Sequence, residues 1–379
     1  MTPRVALVGA AGHGASHLDR LAGAARDGTL DLVGVCDLRP IETEAPLYTD
    51  HRELLRAAAP DAVVVCTPPH THLPIAVDAA RAGADVLLEK PPVLDLAEHA
   101  ELCRVLGETG RVCQVGFQAL GSPALAELTT TVRAGHLGTV TRIGAAGAWW
   151  RADEYFHRVP WAGRRSVDGR PVLDGALANP FAHALMDALV LATAAGGGHP
   201  RSLAVERYRV TDIEVEDTAC LRVELAGGPP VLVAVSLRSA RFVAGEIVVA
   251  GTAGRAVLEY PTDRLTLPGD AAPRTVPGRV DLLANLLAHR ADPRVPLLAP
   301  LAATAPFTAV IEALYRAGPP VPVPAGHLVP HQGASAIEGI AELVRRAAGR
   351  LALFSELGTA WAVAPHVIEE VPVAQAAPA

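Results

Sequence analysis

Arg4-Val5-Ala6-Leu7-Val8-Gly9-Ala10-Ala11-Gly12-His13-Gly14 is an apolar run that ends in a glycine turn and passes directly into Ala15-Ser16-His17-Leu18, the start of a helical pattern. Glycines at such a turn let backbone N–H groups at a helix N-terminus come close to an anion such as a pyrophosphate. A tight glycine turn can also be purely structural, so the surroundings decide. Here they repeat one grammar: apolar runs at 4–9, 31–36, 61–66, 85–88 and 111–115 alternate with helical patterns at 14–27, 51–59, 72–82 and 94–109. Runs without polar alternation suit strands covered on both faces, and strands alternating with helices predict a doubly wound parallel sheet.

Beyond Ser122 the grammar changes. A helical pattern at 123–134 precedes a long run at 139–150, a loop rich in Arg, Gly and Trp at 151–178, and a helix at 180–195. Strand patterns near 202–211, 217–225, 230–239, 245–251 and 255–260 follow without helices between them. They predict a second, α+β domain with a large, mostly antiparallel open sheet. Helices near 280–290, 301–316 and 335–349 and an apolar tail to Ala379 complete the pattern, and the division expected is residues 1–121 and 122–379, with room for the C-terminal segment to pack back on the first domain.

Composition narrows the class. Half of the 379 residues are hydrophobic, 19% are charged and the net charge is -7, which suits a folded globule and offers no basic run for nucleic acid or an anionic membrane. The longest apolar stretch, near Ala184 to Ala195, carries Asp187 and is too short for a membrane span. The first strand starts so early that no signal peptide is expected. Cys36, Cys66, Cys103, Cys113 and Cys220 form an odd set without CxxC spacing, expected as reduced residues of a cytoplasmic protein. His70, His72, His327 and His331 lack ligand spacing with carboxylates, so no metal is expected. Lys90, in Glu89-Lys90-Pro91, is the only lysine beside 32 arginines. An ammonium can share a proton when buried and a guanidinium cannot.

Asp37 ends the second strand 23 residues after Gly14, where a carboxylate can accept the ribose hydroxyls of a dinucleotide. Arg39 would instead suit a 2'-phosphate, so NAD and NADP both stay open with a lean to NAD. The third strand ends in Cys66-Thr67-Pro68-Pro69-His70-Thr71-His72, and a helix and a strand later comes Glu89-Lys90-Pro91. This order resembles the Gfo/Idh/MocA oxidoreductase family, named for glucose-fructose oxidoreductase and inositol dehydrogenase. Trp149-Trp150-Arg151, Tyr155-Phe156, Pro160-Trp161 and the turn Gly251-Thr252-Ala253-Gly254 extend the resemblance through most of the chain.

The resemblance implies a Rossmann domain, a second domain whose sheet pairs copies into a homodimer or homotetramer, and a carbohydrate-like substrate. It implies that Gly9, Ala11, Gly12, His13, Gly14, Asp37, Arg39, Thr67, Pro68, His72, Glu89, Lys90 and Gln118 line the cofactor. By position, Lys90 is the group on the reacting oxygen and His183 the acid/base. Arg151, Tyr155, Trp161 and Arg164 fall in the family's substrate loop, where aromatic faces and guanidinium forks suit a polyhydroxylated ligand. Where the family commonly has an Asp four residues before the histidine, this chain has Asn179. Asn179-Pro180 also reads as an N-cap with proline at the first helical position. Asp174 is a second candidate for the missing charge. The leading expectation is an NAD(P)-dependent dehydrogenase of a sugar, cyclitol or glycoside hydroxyl, with Lys90, His183 and Asn179 at the chemistry. The alternatives are redox-neutral glycoside cleavage by transient oxidation and elimination, and a non-catalytic dinucleotide-binding regulator.

Overall fold

The structure is a computed structural model that describes residues 2–167 and 169–374, so the end of the tail to Ala379 lies outside the described residues. Met1–Phe117 and Val280–Thr308 form one compact unit, and Gln118–Arg279 and Ala309–Val373 form another. Among the described residues the first unit carries a six-stranded parallel sheet. Its strands are β1 (Arg4–Val8), β2 (Asp31–Cys36), β3 (Leu47–Tyr48), β4 (Ala62–Val65), β5 (Asp85–Leu88) and β6 (Cys113–Val115), in the order β3-β2-β1-β4-β5-β6. Helices α1 (His13–Arg26), α2 (His51–Ala58), α3 (His72–Arg81) and α4 (Leu96–Thr109) connect them. Val5, Ala6, Leu7, Val63, Val64 and Val65 are wholly buried, which is why these strands read as unbroken apolar runs. The strand order reverses between β1 and β4, and in such sheets a crevice opens beyond the strand C-termini at that point.

The first unit's opening stretch ends at Phe117, and Val280–Thr308 packs back with it. The reason is polar. Gln114 on β6 is fully buried, and its amide donates to the Leu282 carbonyl at 2.6 Å and to Asn285 at 3.0 Å while accepting from the Ala299 N–H at 3.0 Å. Arg290, on the same returning helix Leu282–Ala291, pairs with Asp85 at 2.7 Å and Asp61 at 2.8 Å. Buried amides need such partners, and only the return supplies them.

The second unit begins with α5 (Pro123–Arg133) and β7 (Val140–Trp150), a small hairpin of β8 (Ser166–Val167) and β9 (Arg170–Pro171), and α6 (Ala182–Ala194). Then come β10 (Pro200–Arg209), β11 (Thr218–Leu225), β12 (Val231–Ser236), β13 (Arg238–Gly251), β14 (Gly254–Glu259), β15 (Arg264–Thr266), β16 (Arg274–Thr275) and β17 (Val321–Pro322). The large sheet runs β16-β15-β14-β13-β7-β12-β11-β10-β17 and is mostly antiparallel, with β7–β12 and β10–β17 parallel. Its centre is covered on both faces. Gly147 and Gly144 on β7 point to opposite sides. A Cβ on Gly147 would lie 2.1 Å from the Phe181 ring leading into α6, and one on Gly144 would lie 2.0 Å from the Ala348 carbonyl of the helix Ile340–Arg350. Val344, Ala347, Phe354 and Trp361 pack there against Tyr208, Leu232 and Ala234. All six residues of β12 are buried in consequence. Among the described residues no helix is long and apolar enough to cross a membrane.

Candidate functional site

In the first unit the glycine turn sits where β1 meets α1. Gly9 has φ +88° and Gly12, the residue before α1, has φ +61°, both in the left-handed region that glycine occupies without penalty. A Cβ on Gly14 would lie 2.0 Å from the Gly9 carbonyl, and beside Gly12 there is open space. Helix α1 starts without a side-chain cap; the Gly14 and Ala15 N–H groups donate to the Ala11 and Gly12 carbonyls at 3.1 and 3.2 Å, and the helix dipole still favours an anion at this end. These residues fit the dinucleotide expected of them. Asp37 adds a detail that spacing does not reveal: its Oδ2 accepts from the N–H of Ala10 at 2.9 Å and of Ala11 at 3.0 Å, and Oδ1 from the N–H of Arg39 at 3.0 Å. Burial alone would raise its pKa, but the N–H groups of Arg39, Ala10 and Ala11 and the Arg39 charge hold it below the usual carboxylate range.

Thr67 and Pro68 follow β4, and the Thr71 hydroxyl lies 2.7 Å from both the Thr67 hydroxyl and the Pro68 carbonyl. Two residues expected at the cofactor prove to be internal. His72 is fully buried, with Nδ1 3.0 Å from the Pro91 carbonyl and Nε2 2.8 Å from that of Thr67, so its ring ties the turn after β4 to the chain just past Lys90. Burial pushes its pKa down against the pull of those carbonyls. Glu89 is 5% exposed; Oε1 lies 2.9 Å from His17 Nε2, and Oε2 accepts from the Lys90 backbone N–H at 3.1 Å. Burial would raise this carboxyl, yet His13, His17 and the Lys90 charge hold it well below its ordinary value. Lys90 itself is half-buried, two residues past β5.

The expected substrate residues lie in the second unit. Asp174 is their anchor: it accepts from Asn179 Nδ2 at 2.6 Å, from the Gly163 N–H at 3.1 Å and from Arg158 at 3.2 Å. A carboxylate only accepts, so Asn179 must turn its NH2 toward Asp174 and its Oδ1 away. The two residues that competed for the missing charge therefore work as a pair. The N-cap expected at Asn179 is not one, because α6 begins at Ala182 after Phe181, and the Asn179 side chain is committed to Asp174.

Arg158 lies 4.0 Å from the Tyr155 ring centre and 5.5 Å from that of Trp161, and Arg151 lies 5.1 Å from Trp149 and 5.4 Å from Tyr155. Arg164 pairs on the surface with Glu214 at 2.7 Å and, with Phe156, Arg158 and Pro160, lines a cavity of about 340 Å³. Gln118 opens the second unit, and its carbonyl accepts from Arg279 at 3.2 Å. His183 stands in the first turn of α6, its ring 6.5 Å from that of Tyr260.

Sequence reasoning missed Arg158, His17, Arg20 and Asp187. The i, i+3 spacing of Tyr155, Arg158 and Trp161 and of His17 and Arg20 was the available signal. Asp187, one turn after His183 and fully buried, has its carboxyl pushed well above the ordinary range by burial.

Among the described residues one group has metal-like proximity: His13, His17 and Glu89. Arg20 Nη2 lies 3.0 Å from His17 Nδ1 and can only donate, so the ring proton sits on Nε2, which leaves no lone pair there for a metal.

Residues 3–117 match the profile of an oxidoreductase family with an NAD-binding Rossmann fold. The chain is similar to inositol 2-dehydrogenase 4 of Saccharopolyspora erythraea, 36% identical over 142 residues that cover 36% of this chain and 42% of the relative. It is also similar to D-glucoside 3-dehydrogenase of Escherichia coli, 30% identical over 29% of this chain and 34% of the relative. These alignments thus span less than half of either relative's length. A solved structure of the WlbA dehydrogenase from Bordetella pertussis in complex with NADH and UDP-GlcNAcA superposes with a TM-score of 0.69 over 83% of this chain and 96% of that one, at 22% identity, and so shares the fold. Residues 3–117 thus carry the profile of the Gfo/Idh/MocA oxidoreductase family, that of an NAD-binding Rossmann fold.

Proposed function

We propose that this protein is an NAD(P)-dependent dehydrogenase of a hydroxyl-bearing carbon on a sugar, cyclitol or glycoside. The observation that carries the reading is the only lysine of the chain, standing past β5 on a buried, ionised carboxylate in the unit that holds the glycine turn. Gly9, Gly12, His13 and Gly14 would hold the pyrophosphate and Asp37 the ribose. A bound nicotinamide supplies the hydride acceptor or donor. Lys90 donates to the reacting oxygen and stabilises its negative charge, and His183 takes or returns the hydroxyl proton. Asn179, oriented by Asp174, offers Oδ1 to a substrate hydroxyl. Tyr155, Arg158 and Trp161 offer an aromatic and cationic surface to a polyol. The relatives named inositol 2-dehydrogenase and D-glucoside 3-dehydrogenase support this substrate class.

NAD is the preferred form in this reading, because an ionised Asp37 repels a 2'-phosphate. The five cysteines, all free, suit a cytoplasmic protein. Association into a homodimer or homotetramer belongs to the proposal, with its contact displaced from β7 and β12, whose second face the helix Ile340–Arg350 covers.

The test is a screen of cyclitols, aldoses and glycosides at 340 nm with NAD and NADP separately. Stoichiometric NADH from at least one polyol is expected. Glycoside cleavage without NADH accumulation would indicate the redox-neutral route, and no turnover with any polyol would sink the reading. Asp37→Ser is expected to lower the NAD over NADP ratio of kcat/KM by about tenfold or more. An unchanged ratio would remove Asp37 from cofactor choice.

A further inference from the structure

The Glu89 carboxylate is seated, not merely buried. On one side a Cβ on Gly116 would come within 2.8 Å of the carboxylate carbon and of both oxygens, so backbone walls it in. On the other side stand His17, 2.9 Å from Oε1, and His13, 3.7 Å from the same oxygen. His17 is 3% exposed and packs edge-on to His13 with ring centres 5.3 Å apart. Arg20 fixes the state of His17 because a guanidinium has only donors: its contact at Nδ1 forces that nitrogen to accept and places the proton on Nε2, facing Glu89. Arg20 is itself held by Asp281 at 3.2 Å and by the Ser16 carbonyl at 3.3 Å. Asp281 also caps the helix Leu282–Ala291 through the Ala284 N–H at 2.9 Å. A continuous line of polar contacts thus runs from the returning helix through Asp281, Arg20, His17 and Glu89 to the main chain of Lys90.

We propose that His17, locked as its Nε2–H tautomer by Arg20, is a positioning residue that sets the place of Lys90 through the Glu89 carboxylate. The proposal rests on the reading of Lys90 as the group on the reacting oxygen. A carboxylate whose Oε1 has a fixed donor keeps Oε2 for the Lys90 backbone. Without that donor the carboxylate re-pairs inside its seat and the lysine moves with it. A misplacement of a reacting group by about 1 Å can cost about a hundredfold in rate.

The single lysine makes the test direct. Reductive [13C]methylation yields one dimethyl-lysine resonance beside that of the α-amine, and kinetics are read on unmodified enzyme. Arg20→Met alters a half-exposed side chain, so the fold is expected to survive. It should move the lysine resonance, shift the His17 ring 15N signals away from the Nε2–H tautomer, and lower kcat about tenfold with KM for the cofactor changed less than about twofold. His17→Leu should lower kcat further, and His17→Gln, which keeps an N–H toward Glu89, should recover most of that loss. Should His17→Leu fail to fold, Arg20→Met decides. An unmoved lysine resonance and unchanged kcat in Arg20→Met, with Lys90→Ala inactive, would overturn the proposal and leave the function standing. Full turnover in Lys90→Ala would overturn the reading of Lys90, and the proposal with it.

Discussion

Lys90→Met is expected to lower kcat by about a thousandfold while the cofactor still binds, because a charged donor at a developing alkoxide is worth roughly 3–4 kcal/mol in the transition state and little in the ground state. Methionine keeps the length and apolar stem of the side chain and removes only the ammonium. Lys90→Arg should rescue little: a planar guanidinium cannot take the place of a compact ammonium, nor give up a proton. The measurement is single-turnover kinetics on the best substrate of the screen, beside cofactor titration by fluorescence. A methionine variant within about threefold of wild type would remove Lys90 from the chemistry.

Asp174→Ala carries the second large effect, and it divides between stability and rate. The substitution deprives Asn179, Arg158 and the Gly163 N–H of one acceptor at once. Removing one partner of a fully buried ion pair costs about 3–5 kcal/mol. Arg158 keeps 29% of its side chain in water, which places the expected loss nearer about 2–3 kcal/mol in urea unfolding. With Asn179 no longer oriented and Arg158 no longer pinned beneath Tyr155, kcat/KM should fall about a hundredfold. Asp174→Asn, which still accepts at one oxygen, should recover part of both. Loss of stability with kcat/KM unchanged would make Asp174 a structural anchor only.

What could be read from sequence was whatever is local and repeated. The parallel strands announce themselves because Val63, Val64 and Val65 are covered on both faces, and the glycine turn because Gly9, Gly12 and Gly14 answer a steric need within one turn. β3, two residues long, has no period to detect. The site was legible as a list of residues and not as a set of partners. Asp37 stands at the expected strand end, but nothing local says that one of its oxygens serves the glycine turn. His72 and Glu89 carry the family's motif and yet face inward, since a motif fixes spacing and not orientation. Arg158 lies sixteen residues before Asp174, and Arg20 is 261 residues from Asp281, so these pairings appear only when the chain is folded.

The return of Val280–Thr308 to the first unit bears on how the protein is made. Gln114 leaves the ribosome 168 residues ahead of Leu282, the carbonyl its amide requires. At 5–20 residues per second this is a wait of roughly 8–34 s, during which β6 and the partners of Asp61 and Asp85 are incomplete. By then nearly every strand of the large sheet has been synthesised. The dinucleotide unit is thus the first to begin folding during translation and cannot finish until most of its neighbour exists, a stretch in which its half-built edge is the part of the nascent chain most in need of a chaperone.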